Sequence, residues 1–250
     1  MLALRNKHIL LTREEKDAKQ FADLITAYGG TPYFLPLIKI VFRPVGVEST
    51  KKAARADWLV FTSVNGVRSF FSTYQGEPLK AKMAAVGVQT AHEIERYGYH
   101  TSVVPKIQDG EALARLLQMV VGQEERVLVV RGQLAKPTII YGLKNKGINV
   151  EALTTYDTIM PKEAIREAKA LPNLVFDYVT LTSPSTATHL RAVMEACTIS
   201  YRKVACIGPR TNERAIQLGL TPTVTADSYS TNGLVKAMLI EEAHKHERNI

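Results

Sequence analysis

The chain has 250 residues, 46% of them hydrophobic and 22% charged, with a formal net charge of +8. That length suits one large domain or two small ones, and the composition is that of an ordinary globular protein. No apolar run approaches the length of a membrane span, and the N-terminus leads into a strand without a signal-peptide core. A soluble cytoplasmic protein is expected. The lysines and arginines are scattered, not gathered into an arm, so the positive charge points to an acidic small molecule rather than nucleic acid or membrane.

Lys7–Arg13 reads as a first strand with a polar exit. Apolar residues at Ala18, Phe21, Ala22, Leu24 and Ile25 predict a helix over Glu14–Tyr28, stopped by Gly29-Gly30. Thr31–Phe42 looks extended, but its two prolines make it a connector rather than a core strand. Leu59, Val60 and Phe61 form a buried strand that ends in Thr62-Ser63-Val64-Asn65-Gly66 and enters a helix running to about Tyr74. Lys82–Val86 is a short strand, Ala91–Tyr97 a helix stopped by Gly98, and Ser102–Pro105 another strand. Gly110–Val121 is a helix with Leu113, Leu116, Leu117 and Val120 on one face. Arg126–Gly132 is a strand, Val150–Ile159 is extended, and the charged Glu241–Ile250 is expected to be a frayed helix end.

The pattern repeats. Ile9–Arg13 matches Val127–Arg131, and the helix stop Gly30 matches Gly147. Asp57 with Thr62-Ser63 matches Asp177 with Thr182-Ser183, and Val86–Thr90 matches Ile207–Thr211. Gly98 and Gly219 each follow a strand-end glycine by eleven residues. A tandem of two α/β units with a midpoint near Gly122 is implied, with parallel sheets flanked by helices. If Leu35–Phe42 and Val150–Ile159 pair as a ribbon, one domain is the middle of the chain and the other is assembled from both ends.

Several chemistries find no support. There is no glycine-rich nucleotide motif and no G-x-S-x-G elbow. The six histidines show no metal-site spacing. Cys197 and Cys206 belong to no CxxC, so no structural disulfide is expected, and Cys206 reads as core packing. What remains is a set of strand ends rich in Thr, Ser, Asn, Arg and Gly.

These phrases resemble the uroporphyrinogen-III synthase family over nearly the whole chain. The resemblance is carried by Leu10-Leu11-Thr12-Arg13, Asp57–Val67, Ala85-Val86-Gly87 with Thr90-Ala91, and Arg131-Gly132. It continues through Tyr156-Asp157-Thr158, Leu181–Ser185, Ala205–Pro209 with Thr211, and Thr231–Val235. Asn212-Glu213 departs from it, where the family usually has alanine. It implies two domains, residues 40–155 and a discontinuous domain of 1–36 with 160–250, joined by a ribbon of about 36–42 and 150–160 with a cleft between them. It implies a cofactor-free, metal-free cyclisation of the linear tetrapyrrole hydroxymethylbilane to uroporphyrinogen III, with the last ring inverted and water lost. The substituted carbon of that ring attacks, giving a spiro intermediate that opens and recloses. A monomer is expected, with hand-over of the bilane from the preceding deaminase.

Tyr156 matches the family's tyrosine at the end of the second connector strand and is the candidate proton donor to the departing hydroxyl. The competing reading is a tyrosine packed at a hinge with its hydroxyl in water. Thr62, Ser63, Asn65, Thr90, Thr182, Ser183, Ser185 and Thr211 lie at inferred strand-to-helix turns. There they either bind acetate and propionate carboxylates or simply cap helices. Arg13 and Arg131 end equivalent strands and either pair with carboxylates or stand solvated. Asp57 and Asp177 read as structural, Trp58 and Phe61 as core. A non-enzymatic two-domain sensor of an acidic small molecule is the alternative that the tandem also allows.

Overall fold

The computed structural model describes residues 3–248, apart from the side chains of 15–17 and 245–248. The chain opens with β1 (His8–Leu11), α1 (Glu15–Ala27) and β2 (Thr31–Phe34). It continues through β3 (Lys39–Phe42), α2 (Val47–Arg55), β4 (Trp58–Phe61), α3 (Val64–Thr73), β5 (Lys82–Ala85) and α4 (Val88–Arg96). Then come β6 (Thr101–Val103), α5 (Gly110–Val120), β7 (Arg126–Gly132), α6 (Thr138–Lys144) and β8 (Asn149–Ile159). The remainder is α7 (Ala164–Lys169), β9 (Phe176–Leu181), α8 (Pro184–Ala196), β10 (Tyr201–Cys206), α9 (Pro209–Gln217), β11 (Pro222–Thr225) and α10 (Thr231–Arg248).

Two compact units result, one of Met1–Lys39 with Ile159–Ile250, the other of Ile40–Thr158. The discontinuous unit has a five-stranded sheet in the order β11-β10-β9-β1-β2. The inserted unit has a six-stranded sheet in the order β3-β8-β7-β4-β5-β6. The pairings of β1, β2 and β9–β11, and those of β4–β8, are all parallel. β3 lies beside β8. Arg43, just after β3, donates two hydrogen bonds to the Asp157 carboxylate at 2.8 and 2.6 Å.

The two sheets are the same sheet with the connectivity permuted. Reading β6-β5-β4-β7-β8 against β11-β10-β9-β1-β2 superposes the sequence repeat on the strand order. Each unit therefore takes two of these strands from one repeat and three from the other, and the inserted unit adds β3 at its edge. Asp57 and Asp177 show the equivalence locally. Asp57 Oδ2 accepts from the Arg126 amide at the start of β7 (2.8 Å), and Asp177 Oδ2 accepts from the His8 amide at the start of β1 (2.9 Å). Both are structural.

Alternation along the strands divides each core into two layers, one on each face of the sheet. In the inserted unit Leu59, Phe61, Met83, Leu128 and Val130 pack on one face. Trp58, Val60, Ala84, Val127 and Val129 pack on the other. In the discontinuous unit Leu10, Val179, Leu181, Val204 and Cys206 oppose Ile9, Leu11, Tyr178 and Ala205. Cys206 is fully buried, and burial pushes its thiol up to about 12.

Three expectations need correction. Thr31–Phe34 is not a connector but a true strand, tolerated despite Pro32 because β2 is a sheet edge. The glycine that turns the chain after α1 is Gly29 (φ +84°), paired with Gly147 (φ +76°). Gly30 instead clears the side chains of Ile25 and Ile9, 2.8 Å from where its Cβ would stand. The helix placed at Ala91 begins at Val88, which draws Thr90 inside it. Glu241–Arg248 is the end of helix α10, as expected of a helix end, and 249–250 lie outside the described residues.

Candidate active site

In both sheets the chain reverses its direction of travel between equivalent strands, β4/β7 in one and β9/β1 in the other. Open α/β sheets bind ligands outside the carboxyl ends of such strands. Thr62, Ser63, Asn65 and Arg131 lie there in one sheet, and Arg13, Thr182, Ser183 and Ser185 in the other.

In the inserted unit Ser63 is the N-cap of α3, and its Oγ accepts from the Gly66 amide at 3.0 Å. The same Oγ is hydrogen-bonded to the Tyr156 hydroxyl at 2.9 Å. Thr62 is tied to the Val130 carbonyl through both its amide and its hydroxyl, at 3.3 and 3.2 Å. Arg131, half-buried at the end of β7, donates from Nε to the Gly132 carbonyl at 3.3 Å. The next residue, Gly132, is the register partner of Tyr156. Gly132 lacks a side chain because the Tyr156 ring fills the space: an added Cβ would lie 2.7 Å from Tyr156 Cε2 and Oη. Behind it Thr155, buried, accepts from Ser69 Oγ at 2.6 Å, and the Gln133 amide donates to the Tyr156 carbonyl at 3.0 Å.

Burial raises the Tyr156 phenol above its ordinary 10.0, against the pull of the Ser63 hydrogen bond and the Arg131 charge. The phenol is therefore neutral through physiological pH and can donate a proton or a hydrogen bond. It is not a base. Its hydroxyl is hydrogen-bonded to Ser63, whereas the hinge reading left it in water.

In the discontinuous unit Ser183 caps α8 through a reciprocal pair: Ser183 Oγ accepts from the Thr186 amide at 3.2 Å, and Thr186 Oγ1 accepts from the Ser183 amide at 3.1 Å. Thr182 precedes it, partly exposed. Asn65 and Ser185 hold equivalent second positions in α3 and α8, both partly exposed. Arg13 stands just beyond β1, half-buried. Thr90 and Thr211 do not sit in open turns. Both lie in the first turn of a helix and are 4% and 3% exposed.

Among the described residues no group of three or more His, Cys, Asp or Glu is placed to hold a metal ion, and no helix is long and apolar enough to cross a membrane. In the sequence Gly132 figures only within the Arg131-Gly132 motif, and Gln108 belongs to no motif. Gln108 Oε1 accepts from the Val88 amide at the start of α4, over Gly87. A glycine closing a largely buried strand was the one available signal for Gly132; nothing marked Gln108.

Two doubly wound parallel α/β units with permuted connectivity define the class: a two-domain α/β protein whose strand ends carry hydroxyl, amide and guanidinium groups. A family model, uroporphyrinogen-III synthase HemD, matches residues 19–236. The uroporphyrinogen-III synthase of Chlorobaculum parvum is 26% identical over 242 residues, covering 93% of this chain and 98% of that one. The porphyrin biosynthesis protein HemD of Ruminiclostridium josui is 26% identical over 241 residues, covering 92% of this chain, which spans only 48% of that longer relative. A uroporphyrinogen III synthase structure from the extremely thermophilic bacterium Thermus thermophilus has the same fold, with a TM-score of 0.67, 18% identity, and 96% of this chain and 99% of that chain covered. The Helicobacter pylori structure gives 0.67 at 17% identity, with 94% and 99% covered. The chain belongs to the uroporphyrinogen-III synthase family. It is accordingly a lyase of porphyrin biosynthesis, and the sensor reading is not favoured.

Proposed function

We propose that this chain converts hydroxymethylbilane to uroporphyrinogen III, with Tyr156 as proton donor to the departing hydroxyl. The observation that carries the assignment to Tyr156 is its hydroxyl pinned to Ser63 at 2.9 Å, above a glycine that makes room for the ring. In the first step the pyrrole pushes electrons toward the hydroxymethyl carbon, and the C–O bond breaks. The phenol proton goes to the leaving oxygen, which departs as water, and the pyrrole nitrogen then returns a proton to the phenolate. Attack by the substituted carbon of the last ring gives the spiro intermediate, and its reopening and reclosure invert that ring. The bilane can lose water and close head to tail unaided, so the chief task of the protein is to hold it in one shape.

The carboxylates of the substrate meet Arg13, Arg131 and the turn residues Thr62, Ser63, Asn65, Thr182, Ser183 and Ser185. The net charge of +8 suits a polyanion. Thr90 and Thr211, being buried, act through the amide ends of their helices. The reaction proceeds without a cofactor, in a cytoplasmic monomer supplied by the preceding deaminase.

The test generates hydroxymethylbilane in situ, adds the protein, oxidises the products and separates the uroporphyrin isomers. Isomer III in excess is the expected result. Isomer I alone, matching a reaction without the protein, would sink the proposal.

A further inference from the structure

Gly208 is the N-cap of α9 and its backbone is extended, with φ 176°, a conformation any residue adopts. Its missing side chain has another cause. An added Cβ would stand 2.8 and 3.0 Å from Cδ1 and Cε1 of Tyr229, so the phenol ring rests directly on the glycine. Tyr229 is nonetheless 72% exposed. One side of the ring is seated on backbone and the rest is offered to solvent.

The short loop that carries it is fixed at both ends. The Ala226 amide donates to the carbonyl of Cys206, the last residue of β10, at 3.0 Å. Ser230 accepts from the Gly233 amide through Oγ at 3.0 Å and from the Leu234 amide through its carbonyl at 2.9 Å. Gly233 is itself required, because a Cβ there would collide with the Ser228 carbonyl oxygen. Two glycines thus hold one exposed aromatic ring at the carboxyl end of β10, the strand next to the one that runs into Thr182 and Ser183. A lone exposed tyrosine means little. One for which the backbone has given up a side chain is a placed surface.

We propose that Tyr229 is a substrate-contacting residue, a stacking platform for one pyrrole ring of the linear tetrapyrrole. This rests on the function proposed above. A flat, electron-rich pyrrole is matched by the face or edge of a phenol, and an aromatic contact needs no charge, so it leaves the substrate carboxylates to the arginines and turn residues. The platform orients a ring of the bilane and takes no part in breaking bonds.

The experiment measures formation of isomer III against bilane concentration. For Tyr229→Ala, KM rises about five- to tenfold while kcat stays within about twofold. Tyr229→Phe keeps the wild-type KM, since the ring and not the hydroxyl makes the contact. Gly208→Ala, which leaves the tyrosine in place but lifts its ring, raises KM as Tyr229→Ala does. A tyrosine that served only to cover Gly208 would change the melting temperature and leave KM alone. An unchanged KM in Tyr229→Ala, with the wild-type protein making isomer III, overturns the platform and spares the function. A wild-type protein that makes no isomer III overturns both.

Discussion

Tyr156 owes its position to a residue with no side chain. Replacing Gly132 with alanine puts a methyl group where the phenol ring lies, and overpacking of that kind costs about 1–3 kcal/mol. The expected outcome is a lower melting temperature together with a loss of turnover at least as large as that of Tyr156→Phe. For Tyr156→Phe itself, kcat falls roughly tenfold or more, at or below the weak end of what a positioned proton donor supplies, since a neutral phenol is a poor acid. Circular dichroism checks that the fold survives, and unchanged turnover removes Tyr156 from the mechanism. The pH profile carries a sign. Burial raises the phenol above 10.0, so its protonated form persists through neutrality, and no alkaline loss of kcat assignable to Tyr156 should appear below that value. The sequence picked out Tyr156 through the resemblance and Ser63 through its place at a strand-to-helix turn. It had no means of joining them, because they are 93 residues apart and meet only when β8 and β4 flank β7.

The helices and strands were legible where burial is strong. β4 is buried at every position and β7 nearly so, and their apolar runs announced them. The short α6 and α7 were not placed, because seven and six residues leave little room for an apolar stripe, and α2 was not because Ala53 is its one buried residue. β2 was misread because a proline rule for central strands was applied to an edge. The glycines that end α4 and α9 were read correctly. Gly98 and Gly219 have φ +85° and +73°, and an added Cβ at either meets nothing within 4 Å. A change there tests backbone conformation with no steric confusion. Gly219→Ala should lower stability by about 1–2 kcal/mol, read as a shift in the urea midpoint at constant slope.

A polar network ties the end of the chain to the discontinuous sheet. Tyr178 donates to Glu242 Oε1 at 2.5 Å, and Lys203 Nζ reaches the same oxygen at 3.0 Å, Glu241 at 2.7 Å and the Tyr178 hydroxyl at 3.2 Å. Lys7 pairs with Glu242 from the other side at 3.1 Å. Burial works to raise the Glu242 carboxyl, but hydrogen bonds from Tyr178, Lys203 and Lys7 outweigh it and hold the group at about 2 rather than 4.5. A depressed carboxyl contributes stability above its unfolded value and loses it as pH falls through the folded one. The loss therefore runs from about 4.5 down to about 2. In Glu242→Gln the deficit relative to wild type should be largest near neutrality and shrink across that window. A deficit independent of pH would show that the carboxylate is not the acid-sensitive group.

The permuted strand order has a consequence for synthesis. Neither half of the sequence holds a complete sheet, so a growing chain cannot finish the first structure it begins. β1, α1 and β2 leave the ribosome early, but β1 receives its partner β9 only after some 165 further residues, and the His8–Asp177 bond spans 169 positions. The inserted unit meanwhile acquires all its strands by Ile159. It is the piece that can mature first, while the opening strand pair waits with one edge uncovered, exposed to mispairing or to a chaperone. The order of emergence, more than final stability, makes the N-terminal strand the vulnerable part of a nascent chain.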